Sequence, residues 1–416
     1  MGTRTSPLRM LAFVGDGVFA HVLESQVVMP LRQMGGRAPE VQRALLVLTS
    51  WRHRRQPERP AREASIRDGL PGARVFFRFR PPLGIPLQHR VWARHLRAAL
   101  AECAYTGPAP IIVHCRTPEP AAAAAAVKRR DPRLRIFLDM RGDPLDEIRG
   151  SGWVSAYRRR FFRDTLRRAF AGADGLNVVS RRMAEYLRSD GLLERALPMS
   201  VVGCCVDTER FHFDPEQRAS RRQELGLADK FVVCYCGSMA HWQRPDAVAE
   251  AFAAIRGAMP DAHLLAVCRE EDVLRAHLER QGIRPTDATF RAAAHREVAS
   301  YLMAGDVGLL LREDVRTNQV ASPVKFAEYL RCGVPVILTP YIGDFGAFAT
   351  RERVGAAVCF PLEAAEVVQA AQAIRTRHAA EGDGFRQHCS RMAAERLSWE
   401  GQIGEILRVY VEMASR

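Results

Sequence analysis

The segment SPVKFAEYLRCGVPVI at 322–337 carries a lysine where a helix start ordinarily holds an acid. Ser322 reads as an N-cap, Pro323 as the first helical position, and Gly333 as the stop before an apolar strand. That counting puts Lys325 at the third helical position, against the positive end of the helix dipole, at a cost of about 0.3 to 1 kcal/mol. The chemistry on offer is capture of an anion at the helix start. The spacing also fits a surface pair between Lys325 and Glu328, worth about a few tenths of a kcal/mol. Most basic residues of this chain are arginine, and its lysines are Lys128, Lys230 and Lys325. The same bias makes the net charge of +14 a weak guide to partners.

Other residue types point to chemistry less directly. Gly15 and Gly17 follow an apolar run, where a chain can approach a ligand closely, but they lack the dinucleotide-binding spacing. His114 ends the strand-like IIVH and fits either a satisfied core histidine or a pocket residue. The 10 cysteines form no CxxC and no Cys/His zinc spacing, so no metal is expected; reduced, mostly buried thiols of a cytoplasmic protein fit better. In AYRRRFFRDTLRRAFAG at 156–172, six arginines alternate with Phe161, Phe162, Leu166 and Phe170. Such a helix could lie on an anionic membrane surface, or pack its apolar face on a sheet with the arginines solvated. The N-terminus lacks the apolar run of a signal peptide, and no run is long enough to span a membrane. Nucleic-acid binding is disfavoured, because the basic residues are dispersed and no known module is present.

The elements that must position these residues alternate short apolar runs with longer amphipathic ones. MLAFVG, ALLVLTS, ARVFFRF, PIIVHCR, RIFLDMRG and GLNVVS form one strand series; FVVCYCG, AHLLAVCR, DVGLLL, VPVILTP and AAVCF form a second. The spacing predicts a helix over 246–259, with Val248, Phe252, Ile255 and Met259 on one face, and the alanines at 121–126 predict another. The fold class is α/β: two doubly wound parallel sheets covered by helices. The polar stretch 207–230 is the best linker, which places the boundary near residue 204. Two such units facing each other would bind ligands at the C-terminal ends of their strands, across a central cleft.

In order and spacing, VLESQV, DMRGDPLDE (139–147), VVGCCVDTERF (201–211), YCGSMAHWQ (235–243), AGDVGLLL (304–311) and SPVKFAEYLRCGVPVI resemble the retaining glycosyltransferases of family 4, which have the two-domain GT-B fold. The resemblance implies a Rossmann-like acceptor domain at 1–203, completed by a helix returning at 398–416. It also implies a nucleotide-sugar domain at 204–397. It places the donor diphosphate at Lys325, Arg244, Ser238 and the amides near Ser322 and Val324, with Glu328 accepting from the ribose hydroxyls. It puts Arg141 near the sugar, with Asp139 and Glu147 orienting it or meeting the acceptor, and His114 in the pocket. Two departures stand out. Val320 occupies the position of the family's first glutamate, and Ser238 that of its first basic residue.

What the resemblance implies is transfer of a sugar from a nucleotide sugar to a glycan or lipid-linked acceptor. The anomeric configuration would be retained, and neither metal nor cofactor would be needed beyond the donor. The setting would be polysaccharide or glycolipid assembly, in the cytoplasm or peripherally at the inner face of the membrane. The departures motivate an alternative, an inactive GT-B-like binding or scaffold protein. A nucleotide-sugar epimerase fits less well.

Overall fold

A computed structural model describes residues 8–20, 22–82, 84, 85, 87–146, 148, 153–294 and 296–416. The chain divides into two compact units, Met1–Gly203 with Gln402–Arg416, and Cys204–Gly401.

The first unit is built on seven parallel strands: β1 (Arg9–Val14), β2 (Gln42–Ser50), β3 (Arg74–Arg80), β4 (Ile111–Arg116), β5 (Leu134–Met140), β6 (Gly175–Val178) and β7 (Met199–Val201). Their order is β3-β2-β1-β4-β5-β6-β7, so the winding reverses between β1 and β4. Strands β1, β2, β4 and β5 are almost wholly buried because helices cover both faces, which is why they read as continuous apolar runs. The alanine run lies in the helix Pro118–Lys128, where Ala121, Ala122, Ala123 and Ala124 are all buried. In the C-terminal helix Trp399–Ser415, Ile403, Ile406, Val409, Tyr410 and Met413 are buried at helical spacing. Gly175 makes room for it, since a Cβ there would lie 2.3 Å from Met413 Sδ.

The second unit holds six parallel strands: β8 (Phe231–Cys236), β9 (Ala262–Val267), β10 (Ala288–Arg291), β11 (Val307–Leu310), β12 (Val336–Leu338) and β13 (Gly355–Ala357). Their order is β10-β9-β8-β11-β12-β13, with the reversal between β8 and β11. The helix expected over 246–259 runs Pro245–Ala258 and buries Val248, Phe252 and Ile255.

The stretch expected to be a linker is an integral part of this unit. It forms the helix Pro215–Glu224, capped by Asp214, whose Oδ1 accepts from the amides of Glu216 and Gln217. Arg218 and Arg222 on that helix reach the buried Asp306 at 2.6 and 3.0 Å, and Arg386 reaches it at 2.5 Å. The amide of Val232 in β8 donates to the same carboxylate at 2.7 Å. The guanidiniums also bind the carbonyls of Met303, Ala304 and Gly305, just past the helix Val298–Met303, where the helix dipole favours cations. A polar sequence therefore packs tightly, because its charges converge on one buried acid.

The arginines hold Asp306 well below the usual carboxylate range despite its burial. The stability it contributes is complete above the unfolded carboxyl value of about 3.9 and is lost as pH falls through the depressed folded one. Asp306→Ala should lower the unfolding free energy in urea by about 3 to 5 kcal/mol, because it strands three buried cations. Arg218→Ala leaves the acid two arginines and the Val232 amide, so its urea midpoint should fall less.

Candidate functional site

Among the described residues singled out by sequence, Gly15, Gly17 and His114 lie on or just after β1 and β4, and Ser238 and Arg244 after β8, strands at which the winding reverses and beside which open α/β sheets bind ligands. Asp139 and Arg141 lie at the end of the adjoining β5. In the second unit, β8 runs into Gly237 and Ser238, and β11 runs on to Arg312 and then to the helix Val324–Arg331.

That helix is fixed from below. Tyr329 is fully buried; its hydroxyl accepts from the Cys236 amide at 2.7 Å and donates to the Cys234 carbonyl at 3.4 Å. Its ring lies on Gly308 of β11, where a Cβ would come within 2.8 Å. Phe326 stacks on Phe345 with ring centroids 4.4 Å apart. The helix stops where Gly333, at φ +75°, donates to the Leu330 carbonyl and Val334 to that of Tyr329.

The start of the helix differs from expectation. Pro323, not Ser322, occupies the cap position, and no side chain caps the helix. Ser322 Oγ accepts from the Cys204 amide at 3.1 Å instead, so this serine holds the incoming chain segment. Lys325 is therefore the second helical residue. Its ammonium lies over Gly237, where a Cβ would be 1.9 Å from Nζ, and 5.9 Å from the Tyr235 ring centroid. A side chain at this position would push the lysine head aside, and the Gly237 backbone, at φ +153°, favours glycine.

Glu328, one turn on, is 8% exposed. Burial pushes its carboxyl up to about 7, against a smaller opposing pull from Lys325 and Arg210. Burial likewise lowers Lys325, with Arg312 adding a like charge. Lys325 and Glu328 form no direct ion pair among the described residues, so the surface-pair alternative is not what the fold builds. The helix start presents an uncapped end, a half-buried cation and a buried carboxyl, a set able to take a phosphate and a hydroxylated group.

Arg244 is placed differently from expectation. It sits in the left-handed region at φ 51°, heads the helix Pro245–Ala258, and binds Asp246 at 2.7 Å and Glu313 at 2.8 Å. Two carboxylates thus neutralise it, where a free phosphate-binding cation was expected. Ser238 is exposed on the loop carrying Gly237, and its carbonyl accepts from Tyr235 at 2.8 Å. Val320 is buried.

In the first unit, Gly15 and Gly17 follow β1, but packing accounts for both. A Cβ on Gly15 would lie 2.6 Å from Trp92, and Gly17 turns the chain at φ +89° beside Thr49. Neither glycine needs a ligand to explain it. His114 is satisfied at both nitrogens: Tyr410 Oη lies 2.5 Å from Nδ1, and Asp139 Oδ2 lies 3.2 Å from Nε2. It is a core histidine tying the C-terminal helix to β4. Asp139, 1% exposed, also accepts from Arg141 Nε at 2.7 Å and Asn177 at 2.9 Å. These bonds hold the Arg141 guanidinium in place. Arg141 also donates to the Gly203 carbonyl at 3.2 Å. With Thr117, Glu119, Arg158 and Phe162 it lines a cavity of about 380 Å³. Glu147 lies outside the described residues.

The arginine-rich helix runs Trp153–Gly172 and buries Phe162, Leu166 and Phe170 within the unit, so of the two alternatives its apolar face takes the packed one. Trp153, 82% exposed, and Val154 project from its first turn instead, and Tyr157, also exposed, donates its hydroxyl to the Gly84 carbonyl at 2.8 Å.

Three charged residues escaped the sequence analysis: Arg312 after β11, and Arg116 and Glu119 at the end of β4 and just beyond it. Arg116 binds Asp16 at 2.7 Å, and Glu119 Oε2 is buried without a partner. Their signal was positional, a charge following an apolar strand at the reversal of the sheet order.

Two open parallel sheets, each reversing its order beside a cluster of charged residues, define a GT-B glycosyltransferase. Residues 45–210 match the family model described as Glycosyltransferase Family 4, and residues 230–410 the model described as Glycosyl transferases group 1. The chain belongs to the family-4 type of glycosyltransferase. No curated protein sequence matches it. Among solved structures, Anabaena HepE in complex with UDP and glucose is similar at TM-score 0.65 and 14% identity, over 96% of this chain and 99% of that one. A glycosyltransferase from Rickettsia africae gives 0.68 and 12%, over 98% and 99%. The catalytic domain of starch synthase IV from Arabidopsis thaliana, bound to ADP and acarbose, gives 0.65 and 14%, over 99% and 100%.

Because the folded chain holds the Glu328 proton more tightly than the unfolded chain does, stability should fall as pH rises from about 4.5 to about 7. Glu328→Gln should therefore be more stable than the wild type above about pH 8, by on the order of 3 kcal/mol, with the gap closing near pH 4. Urea titrations at both pH values read the difference.

Proposed function

We propose that the chain is a retaining glycosyltransferase that uses a nucleotide-sugar donor. The second unit holds the donor, and the first holds a glycan or lipid-linked acceptor. The observation that carries this reading is the Lys325 ammonium seated over Gly237 at an uncapped helix start, with Glu328 buried one turn on. A diphosphate supplies the negative charge that the lysine and the helix dipole lack. Glu328, charged or neutral, can accept from vicinal ribose hydroxyls. Stabilising the departing diphosphate is the main electrostatic demand of such a transfer, and the leaving oxygen can take the acceptor's proton without an enzymic base. Arg141, held by Asp139 at the cavity of the first unit, is the candidate for contact with the sugar or acceptor. No metal is invoked.

The reading extends to polysaccharide or glycolipid assembly in the cytoplasm, at the inner face of the membrane. Its support is the exposed Trp153, Val154 and Tyr157 next to Arg158 and Arg160. No helix among the described residues is long and apolar enough to cross a membrane. An inactive GT-B-like binding protein is the second reading, favoured by buried Val320 and by the carboxylates that tie up Arg244.

A thermal-shift panel of UDP, GDP, ADP and their sugar conjugates tests the donor site. One base should stabilise the protein by roughly 2.7 kcal/mol at a hundredfold excess over its dissociation constant. Lys325→Ala and Glu328→Ala should abolish the shift. Turnover of the matching sugar conjugate, with the donor's anomeric configuration in the product by NMR, separates the transferase from the binding protein. Co-sedimentation with anionic but not neutral vesicles, weakened in Trp153→Ala, would support the membrane contact.

A further inference from the structure

Arg312 is 9% exposed, yet no carboxylate answers it among the described residues. Its Nε is buried without a partner, and its guanidinium makes one long hydrogen bond, 3.4 Å from Nη1 to Asn318 Oδ1. The acids that follow it in sequence are engaged elsewhere: Glu313 binds Arg244 at 2.8 Å, and Asp314 accepts from Gln319 at 2.6 Å. A buried arginine normally has a carboxylate or several carbonyls around it. Arg218 and Arg386 of the same unit have both.

The position of Arg312 is held tightly. Its amide donates to Thr339 Oγ1 at 3.0 Å, and that hydroxyl donates back to its carbonyl at 2.8 Å. Its charge acts on Lys325 and on Tyr235, the tyrosine 5.9 Å from the Lys325 ammonium. Tyr235 in turn donates to the Ser238 carbonyl. Arg312, Lys325, Tyr235 and Ser238 thus belong to one small region beside the reversal between β8 and β11.

We infer that Arg312 supplies the second positive charge of the donor site, doing from the end of β11 what no basic residue does from the loop at Ser238. With Lys325 it would clamp the diphosphate of a nucleoside diphosphate. The inference rests on the donor reading above and adds a residue to it. The planar fork of a guanidinium suits two phosphate oxygens, and Lys325 adds a point charge at the helix start. A bound diphosphate would complete the charge balance around Arg312 and Lys325.

Calorimetric titration separates this role from a structural one. The probes are UDP, GDP and ADP, the matching nucleosides, and inorganic pyrophosphate, on wild type, Arg312→Gln, Arg312→Lys and Lys325→Ala. Arg312→Gln should weaken the bound nucleoside diphosphate and pyrophosphate by about ten- to hundredfold and leave the nucleoside within about twofold. Arg312→Lys should recover part of the loss, and adding Ser238→Arg to Arg312→Gln should recover part of it from the other side. Equal weakening of nucleoside and diphosphate would make Arg312 structural and overturn the inference. Diphosphate binding unchanged in Arg312→Gln but lost in Lys325→Ala would overturn it while leaving the donor reading intact. If wild type binds none of the diphosphates and no pyrophosphate, both fall together.

Discussion

A charge removed from water must be answered by other charges or by hydrogen bonds, and this requirement organises the polar interior of both units. Asp139 is answered by Arg141, His114 and Asn177, and Asp306 by Arg218, Arg222, Arg386 and the Val232 amide. Each acid gathers elements that apolar packing alone would leave loosely placed. Asp306 fixes two surface helices onto β8 and the segment before β11. Asp139 fixes β5, β6 and the C-terminal helix, the last through His114 and Tyr410.

Against that background, the second unit's cluster around Lys325 is the exception. There, among the described residues, the cations Lys325 and Arg312 have no carboxylate in direct contact, and the nearby acid Glu328 is pushed toward its neutral form. Folding places positive charge in a partly desolvated site without cancelling it. On the proposed donor reading, such a site would cost stability in the protein alone and regain it when a diphosphate binds, which is the usual trade between stability and function. The scaffold tolerates that cost because the surrounding contacts are rigid: Tyr329 against Gly308, Phe326 against Phe345, and Thr339 holding Arg312 at both backbone atoms.

Small residues serve closeness more than flexibility. Gly237 leaves space for a lysine head, Gly308 for a tyrosine ring, Gly15 for Trp92, and Gly175 for Met413. From sequence, Gly15 and Gly17 suggested a ligand; in the fold they accommodate packing and a turn. The glycine that does border the candidate site, Gly237, looked in sequence like one member of a loop motif. A glycine's neighbour cannot be read from its own position.

The sequence by itself determined the class of fold. Apolar runs of strand length, alternating with amphipathic stretches and repeated twice, are set by local periodicity and need no tertiary information. It also carried the helix holding Lys325 and Glu328 and its stop at Gly333, but not its cap, which lies at Pro323 and not at Ser322. Strands β7 and β10 bury one residue each and so lack the continuous apolar run that marked the others. Only the tertiary structure decided which charges meet. It turned Arg244 onto Asp246 and Glu313, gave His114 two internal partners, drew the polar stretch before β8 onto Asp306, and left Arg312 unanswered. Electrostatic pairing joins residues tens to hundreds of positions apart and depends on burial. Neither separation in space nor exclusion of water is written in local sequence.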